Sequence, residues 1–253
     1  KKCALVIDNG SAFRLDPNVP LIVPEVNSQD IKKHQGIIAN PNCSTIQMAV
    51  ALKPIYDAVG IKRVVVSTYQ AVSGAGQEAM EELLEQVKDL VLDREITPPK
   101  QFAHQIAYNL IPQIDVFMEN DYTREEMKMV EETQKMFNDY NLAITATAVR
   151  VPVLRSHSEA INVETKEKLT AVEARKLFEA TPGIVVIDDP GNLQYPMPLF
   201  TSDKDEVFIG RIREDISCEN GLSFFVVADQ LRKGAATNAV QIAQLLISSD
   251  SLI

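Results

Sequence analysis

The sequence lacks any apolar run approaching the roughly 20 residues that a bilayer-spanning helix needs, which excludes a helical membrane protein. Cysteine is scarce: Cys3, Cys43 and Cys218 are odd in number, far apart and without a CxxC pair. That set excludes a disulfide framework and a cysteine zinc site, and it points to a reducing compartment. The three histidines, His34, His104 and His157, show no HxH or HExxH spacing, so no metal site is expected. Positive charge is also short, with 25 Lys and Arg against 35 Asp and Glu and a formal net charge of −10. Such a surface repels phosphate backbones and anionic lipid heads, so neither nucleic acid nor membrane is expected as a partner. An anionic substrate must then be held by a few local cations. No internal repeat, low-complexity linker, signal peptide or transit peptide is visible.

What is present is a chain of 253 residues, 45% apolar and 24% charged. That is ordinary globular composition with room for one large or two modest domains. Strand-like and helix-like segments alternate, as in α/β or α+β architecture. Short strands are expected at 4–8 and 37–39. A helix is expected from Ser44 to Lys53, stopped by Pro54, and a strand from Arg63 to Tyr69. A helix over Gln77–Leu92 follows. Capping boxes at Thr123 and Thr170 open two more, the first reaching about Tyr140 and the second ended by Pro182-Gly183. Further β segments are expected at 143–151, 157–163, 207–216 and 222–228, the last two flanking an Asn220-Gly221 hairpin signal. Ala235–Ile247 reads as a C-terminal amphipathic helix. The density of β segments between 143 and 228 predicts a mixed or antiparallel sheet there.

Cys43 follows an Asn-Pro-Asn turn at a helix start. Free backbone N–H groups and the positive helix end predict a lowered thiol pKa and a site for an oxyanion. The plain alternative is a small buried residue. Cys3 and Cys218 are read as structural. His157 suits the acid/base work that a nucleophilic cysteine needs. Arg150 and His157 are an odd number apart, so both face one site only if the strand breaks between them, and Pro152 is a plausible cause. Ser73–Ala79 matches a loose GxGxxA dinucleotide fingerprint, but its spacing from the strand favours a small-residue loop beside a pocket. Arg14, Lys128 and Arg150 are candidate anion holders. Glu125 and Lys128 share a helix face, which a solvated i,i+3 pair also explains.

Together VIDNGSAFR (6–14), VPEVN (23–27), ANPNCSTIQ (39–47), STYQAVSGAGQ (67–77), EEMK (125–128), RVPVLRSHSE (150–159) and DQLRKGAATNA (229–239) resemble the aspartate-semialdehyde dehydrogenases. The resemblance implies a mixed-sheet catalytic and dimerisation domain over 43–228 with helices on one face. It assigns 1–42 and 229–253 to a remnant of a Rossmann-type nucleotide-binding domain. The implied reaction interconverts aspartate 4-semialdehyde, phosphate and NADP with 4-phosphoaspartate and NADPH. Carried over, Cys43 is the nucleophile, His157 the acid/base group, and Gln70 orients the reacting groups. Arg150 takes the substrate α-carboxylate and Glu125 its amine. Arg14, Asn42 and Lys128 form the phosphate site, while Asn9, Ser73, Gly74 and Gln230 line the nicotinamide pocket. A cytoplasmic homo-oligomer, most simply a homodimer, is implied, serving lysine, methionine, threonine and diaminopimelate synthesis.

The chain lacks the family's GxTGxVG-type pyrophosphate loop and starts in a strand. The expectation is of a fragment with little or no turnover, its C-terminal helix exposing apolar surface unless it repacks or meets a partner. Two other readings stay open: an interaction module that binds without turnover, and a related acyl-phosphate reductase such as N-acetyl-glutamyl-phosphate reductase.

Overall fold

The computed structural model describes residues 4–248, so the reading of Cys3 lies outside the described residues. A six-stranded mixed sheet forms the centre, from β3 (Ile61–Gln70), β4 (Ala143–Arg150), β5 (His157–Thr165), β6 (Ile184–Val186), β7 (Val207–Glu214) and β8 (Gly221–Ala228). Its strand order is β4-β3-β5-β8-β7-β6. The β3–β4 and β6–β7 pairs are parallel and the rest antiparallel. A separate parallel pair joins β1 (Val6–Asp8) to β2 (Ile37–Ala39).

The helices are α1 (Pro24–Asn27), α2 (Cys43–Val59), α3 (Gln77–Val91), α4 (Arg124–Phe137), α5 (Ala171–Glu179), α6 (Pro198–Thr201) and α7 (Thr237–Ser248). The main core lies between one sheet face and α2, α4 and α5. Val64, Val66, Ile161, Val163, Phe224 and Val226 of the sheet meet Ile46, Leu52, Met129 and Phe178 there. The opposite face, with Val65, Ser67, Tyr69, Asn162 and Phe225, carries no helix among the described residues and is partly or fully exposed. Alternation along β3 thus sends Val64, Val66, Thr68 and Gln70 inward and their neighbours outward.

Two expectations are corrected. Helix α2 runs through Pro54 to Val59 instead of stopping. An interior proline costs about 3 kcal/mol. Leu52 and Ile55 beside it are both fully buried, and at about 1.5–3 kcal/mol each they offset that cost. The β7–β8 link is not a two-residue turn at Asn220-Gly221. It spans 215–220, with Asp215 Oδ1 accepting from the Ser217 N–H and Oγ, and Gly221 already opens β8.

Both capping boxes form as the spacing predicts, Thr123 with Glu126 and Thr170 with Glu173. Helix α4 stops at Phe137 rather than near Tyr140 because Asn138 takes a left-handed conformation with φ 51°. Helix α5 ends at Glu179, before Pro182. Helix α7 buries Ile242 and Leu246 against Ile22, Ile31 and Ile38 beside the small sheet, while Val240 and Ile247 remain exposed. A turn of π-helix over Arg232–Ala236 precedes it.

Candidate active site

The inward face of the sheet presents Gln70 at the end of β3, Arg150 at the end of β4 and His157 at the start of β5. The Gln70↔Arg150 register places the first two side by side. The chain does break between Arg150 and His157. Residues 151–156 leave the sheet, and Ser156 takes φ 72° before β5 begins. Both side chains therefore converge beside Gly74, as the odd spacing required.

Helix α2 aims its N-terminus at this ledge. Asn42 caps it, its Oδ1 accepting from the Ser44 N–H at 3.1 Å and the Ser44 hydroxyl at 2.6 Å. Its Nδ2 donates to Glu125 at 3.1 Å and its N–H to Glu132 at 2.7 Å. Both carboxylates come from α4, seven residues apart and hence on one helix face. Glu125 is the hub: Gln70 Nε2 donates to it at 3.2 Å, Ser44 Oγ at 3.1 Å and Lys128 Nζ at 3.4 Å. Lys128 also pairs with Asp115 at 2.8 Å. Arg14 donates to Glu132 at 3.2 Å, to the Asn40 carbonyl at 2.9 Å and to the Asn9 carbonyl at 3.0 Å. Asn9 itself is exposed.

On the far side, the Ala71 N–H donates to His157 Nδ1 at 3.0 Å, and the Ala71 carbonyl accepts from Arg150 Nη1 at 2.7 Å. The SGAG loop lies beside this pair as a turn of small residues. A Cβ on Gly74 would sit 3.0 Å from Arg150 Nη1 and 3.1 Å from His157 Nε2. Gln230 Nε2 donates to Ser73 Oγ at 2.5 Å, and its Oε1 accepts from the Ser156 N–H at 2.9 Å. Gly234, in the π-turn, covers Cys43 so closely that a Cβ would lie 2.9 Å from the Cys43 Cβ. Arg150 also borders a cavity of about 280 Å³ lined by Phe102, Ile111, Gln113 and Asp115.

The electrostatics correct one expectation. Burial pushes the Cys43 thiol up to about 12, with Glu125 acting in the same sense and Arg150, the Ser44 N–H and Arg14 against it. A helix terminus is worth only about 0.3–1 kcal/mol, below the ~1.4 kcal/mol of one pKa unit, so enclosure wins. Burial and the Arg150 charge hold His157 well below its ordinary value. Burial holds Glu159 well above the usual carboxylate range, despite an opposing contact with Gln47. Glu159 lies on the same face of β5 as His157, wholly buried.

The structure thus gathers Cys43, Gln70, Glu125, Lys128, Arg150 and His157, with Ser73, Gly74 and Gln230 on the His157 side and Arg14 and Asn9 behind Asn42. Sequence reasoning missed Glu132, Ala71, Gly234 and Glu159. Glu132 was signalled by its seven-residue offset from Glu125. Ala71 acts only through its backbone and left no signal. Among the described residues no cluster of His, Cys, Asp and Glu could hold a metal, and no helix is long and apolar enough to cross a membrane.

Comparison with known proteins agrees with this geometry. Residues 52–233 match the family model "Semialdehyde dehydrogenase, dimerisation domain", and residues 1–34 match "Semialdehyde dehydrogenase, NAD binding domain". The aspartate-semialdehyde dehydrogenase of Aquifex aeolicus is 58% identical over 249 residues, covering 98% of this chain and 73% of the relative. That of Campylobacter jejuni is 56% identical over 244 residues, covering 95% and 71%. A crystal structure of aspartate semialdehyde dehydrogenase II complexed with ASA from Vibrio cholerae superposes with a TM-score of 0.93 at 51% identity, covering 96% of this chain and 72% of that one. On the fold, the site and these relatives, the chain belongs to the aspartate-semialdehyde dehydrogenase family, oxidoreductases of the aspartate pathway.

Proposed function

We propose that this chain carries the catalytic site for the phosphorylating interconversion of aspartate 4-semialdehyde with 4-phosphoaspartate, through a thioester at Cys43. The observation behind this reading is the meeting of the Cys43 thiol with the Glu125 carboxylate and the Arg150 guanidinium, and of Arg150 with the His157 imidazole beside Gly74. Cys43 Sγ bonds to the aldehyde carbon and the carbonyl electron pair moves onto oxygen, where His157 serves as the acid/base group. NADP, when bound, supplies the hydride acceptor that turns this thiohemiacetal into the thioester. A phosphate oxygen then attacks the acyl carbon, the C–S bond breaks and its electron pair returns to Sγ.

Arg150 takes the α-carboxylate through its planar fork. Glu125 takes the substrate ammonium, and that pairing also acts on the nucleophile. The Glu125 charge raises the thiol pKa, so a bound cation that cancels it favours the thiolate only when substrate is present. Gln70 orients the reacting groups. Arg14, Asn42 and Lys128 form the phosphate site, although Asn42 is spent on the helix cap and Arg14 is already paired with Glu132. Phosphate then competes with Glu132 for Arg14.

Ser73, Gly74 and Gln230, with Asn9, would hold the nicotinamide end of NADP. Residues 43–228 form the catalytic and dimerisation part, with 1–42 and 229–253 on the nucleotide side. The enzyme works as a cytoplasmic homodimer supplying lysine, methionine, threonine and diaminopimelate synthesis.

Nicotinamide absorbance, followed with NADP, aspartate semialdehyde and phosphate, tests the reading in this chain and in a full-length relative. Substitution of the matching cysteine, Cys43→Ala here, lowers phosphate-dependent turnover by roughly 10⁴-fold or more. Retained turnover would sink the covalent mechanism. N-acetyl-glutamate semialdehyde, whose amine is capped, is not a substrate.

A further inference from the structure

The turn that carries Arg14 has no helix or strand of its own and lies almost wholly at the surface. From Gly10 to Asn18 only Arg14 is buried, and Leu15 beside it is 51% exposed. A segment of that kind opens readily unless something ties it down. Helix α4 ties this one at both ends of a single residue. Glu132 accepts from the Arg14 guanidinium at 3.2 Å. Lys135 donates from Nζ to the backbone carbonyls of Arg14 at 2.7 Å, Asp16 at 2.7 Å and Val19 at 2.8 Å. Glu132 and Lys135 are three apart and so share a helix face. A lysine ammonium has three N–H donors and no acceptor, and this cradle engages all three. A cavity of about 250 Å³ adjoins the cradle, lined by Pro17, Asn18, Val19, Lys135, Asn138 and Tyr140.

We infer that Lys135 is a built-in cation around which the Arg14 turn folds, and that it is the positioning residue presenting the Arg14 guanidinium to an anion. For the anion, this rests on the reading of Arg14 as a phosphate holder. Phosphate competes there with Glu132, the carboxylate that Arg14 already pairs with. The Lys135 tie runs through the backbone and is indifferent to that exchange. It keeps the turn in place while the guanidinium changes partners, so anion binding does not have to order the turn as well. The cradle itself selects a positively charged N–H donor. Once the lysine stem is cut back, a small free alkylammonium reaches it through the adjoining cavity.

Trypsin reads the turn directly, because the Arg14 carbonyl that Lys135 holds belongs to the Arg14–Leu15 bond that trypsin cuts. Lys135→Ala is cut there about tenfold faster than the parent chain or more, while cutting after Lys62 in β3 is unchanged. n-Propylammonium, which restores the missing stem, slows the cut. Tetramethylammonium, of equal charge but without an N–H, does not. Equal cutting of parent and variant at Arg14–Leu15 overturns the inference, as does a matching rise after Lys62 or equal rescue by the two cations. Lys135→Met, which keeps an apolar stem, takes the same comparison of the two bonds should Lys135→Ala not fold. Binding of inorganic phosphate, followed by phosphorus NMR, tests the positioning role without turnover. Lys135→Ala weakens it about tenfold and n-propylammonium restores it, whereas parent affinity in that variant overturns the role. Phosphate held equally well by Arg14→Leu removes the phosphate reading itself, and the trypsin result still decides the cradle.

Discussion

His157 and Glu159 stand two positions apart on one face of β5, both enclosed, and burial moves their proton equilibria in opposite senses. For Glu159 the folded pKa lies above the ordinary glutamate value of 4.5. The unfolded chain therefore releases a proton that the native state keeps. Stability falls as pH climbs from that value toward the folded pKa, then levels off. For His157, whose folded pKa lies below 6.5, stability is lost as pH drops below that value. Glu159→Gln removes the first slope and leaves the second. Thermal midpoints between about pH 5 and 8 check this: the variant gains on the parent steadily as pH rises, and parallel curves would refute the neutral carboxyl. The convergence of Arg150 and His157 was legible because the odd spacing and Pro152 are readable in the sequence, and the break between them is present. The upward shift of the Cys43 thiol was not, because a helix terminus is a local feature while enclosure beneath Gly234 and the charge of Glu125 depend on distant segments.

At the level of elements, capping chemistry was the most readable part of the fold, since a capping box is complete within four residues. In α4 it has a second use. Glu126 takes the Thr123 N–H at 2.7 Å through one oxygen and the Ala148 N–H of β4 at 2.9 Å through the other. The cap thus ties the helix carrying Glu125 to the strand carrying Arg150. Thr123→Ala removes the Thr123 half of the box and lowers stability by about 1 kcal/mol, measurable by urea denaturation. A loss within error would show the cap to be idle. Pro54 was misread for the opposite reason. Its local penalty is plain in the sequence, while the burial of Leu52 and Ile55 that outweighs it exists only once α2 lies on the sheet. The β7–β8 connection was misread because Asp215 organises a longer turn than the Asn-Gly pair suggests.

For the molecule as a whole, strand β3 has two working faces. Gln70 points into the pocket, while Tyr69, 38% exposed, points to the open face with its ring 6.3 Å from that of Phe225. An uncovered, partly apolar sheet face in a chain matching a dimerisation domain is the proposed seat of a second copy. Tyr69→Asp places an unpaired charge there and shifts the mass measured by light scattering to the monomer. A mass that stays unchanged would move the interface elsewhere.

The strand order has a consequence in time. The order β4-β3-β5-β8-β7-β6 makes β3 the meeting place of strands drawn from far along the chain. The pocket needs residues 43, 70, 125, 150 and 157 together, and no stretch of chain shorter than about half its length contains them. Non-local pairings of this kind form slowly, because loop closure must come before the contacts that reward it. A growing or refolding chain therefore holds Cys43 apart from Arg150 and His157 until the central sheet has found its register. The reactive centre comes into being only with the finished topology.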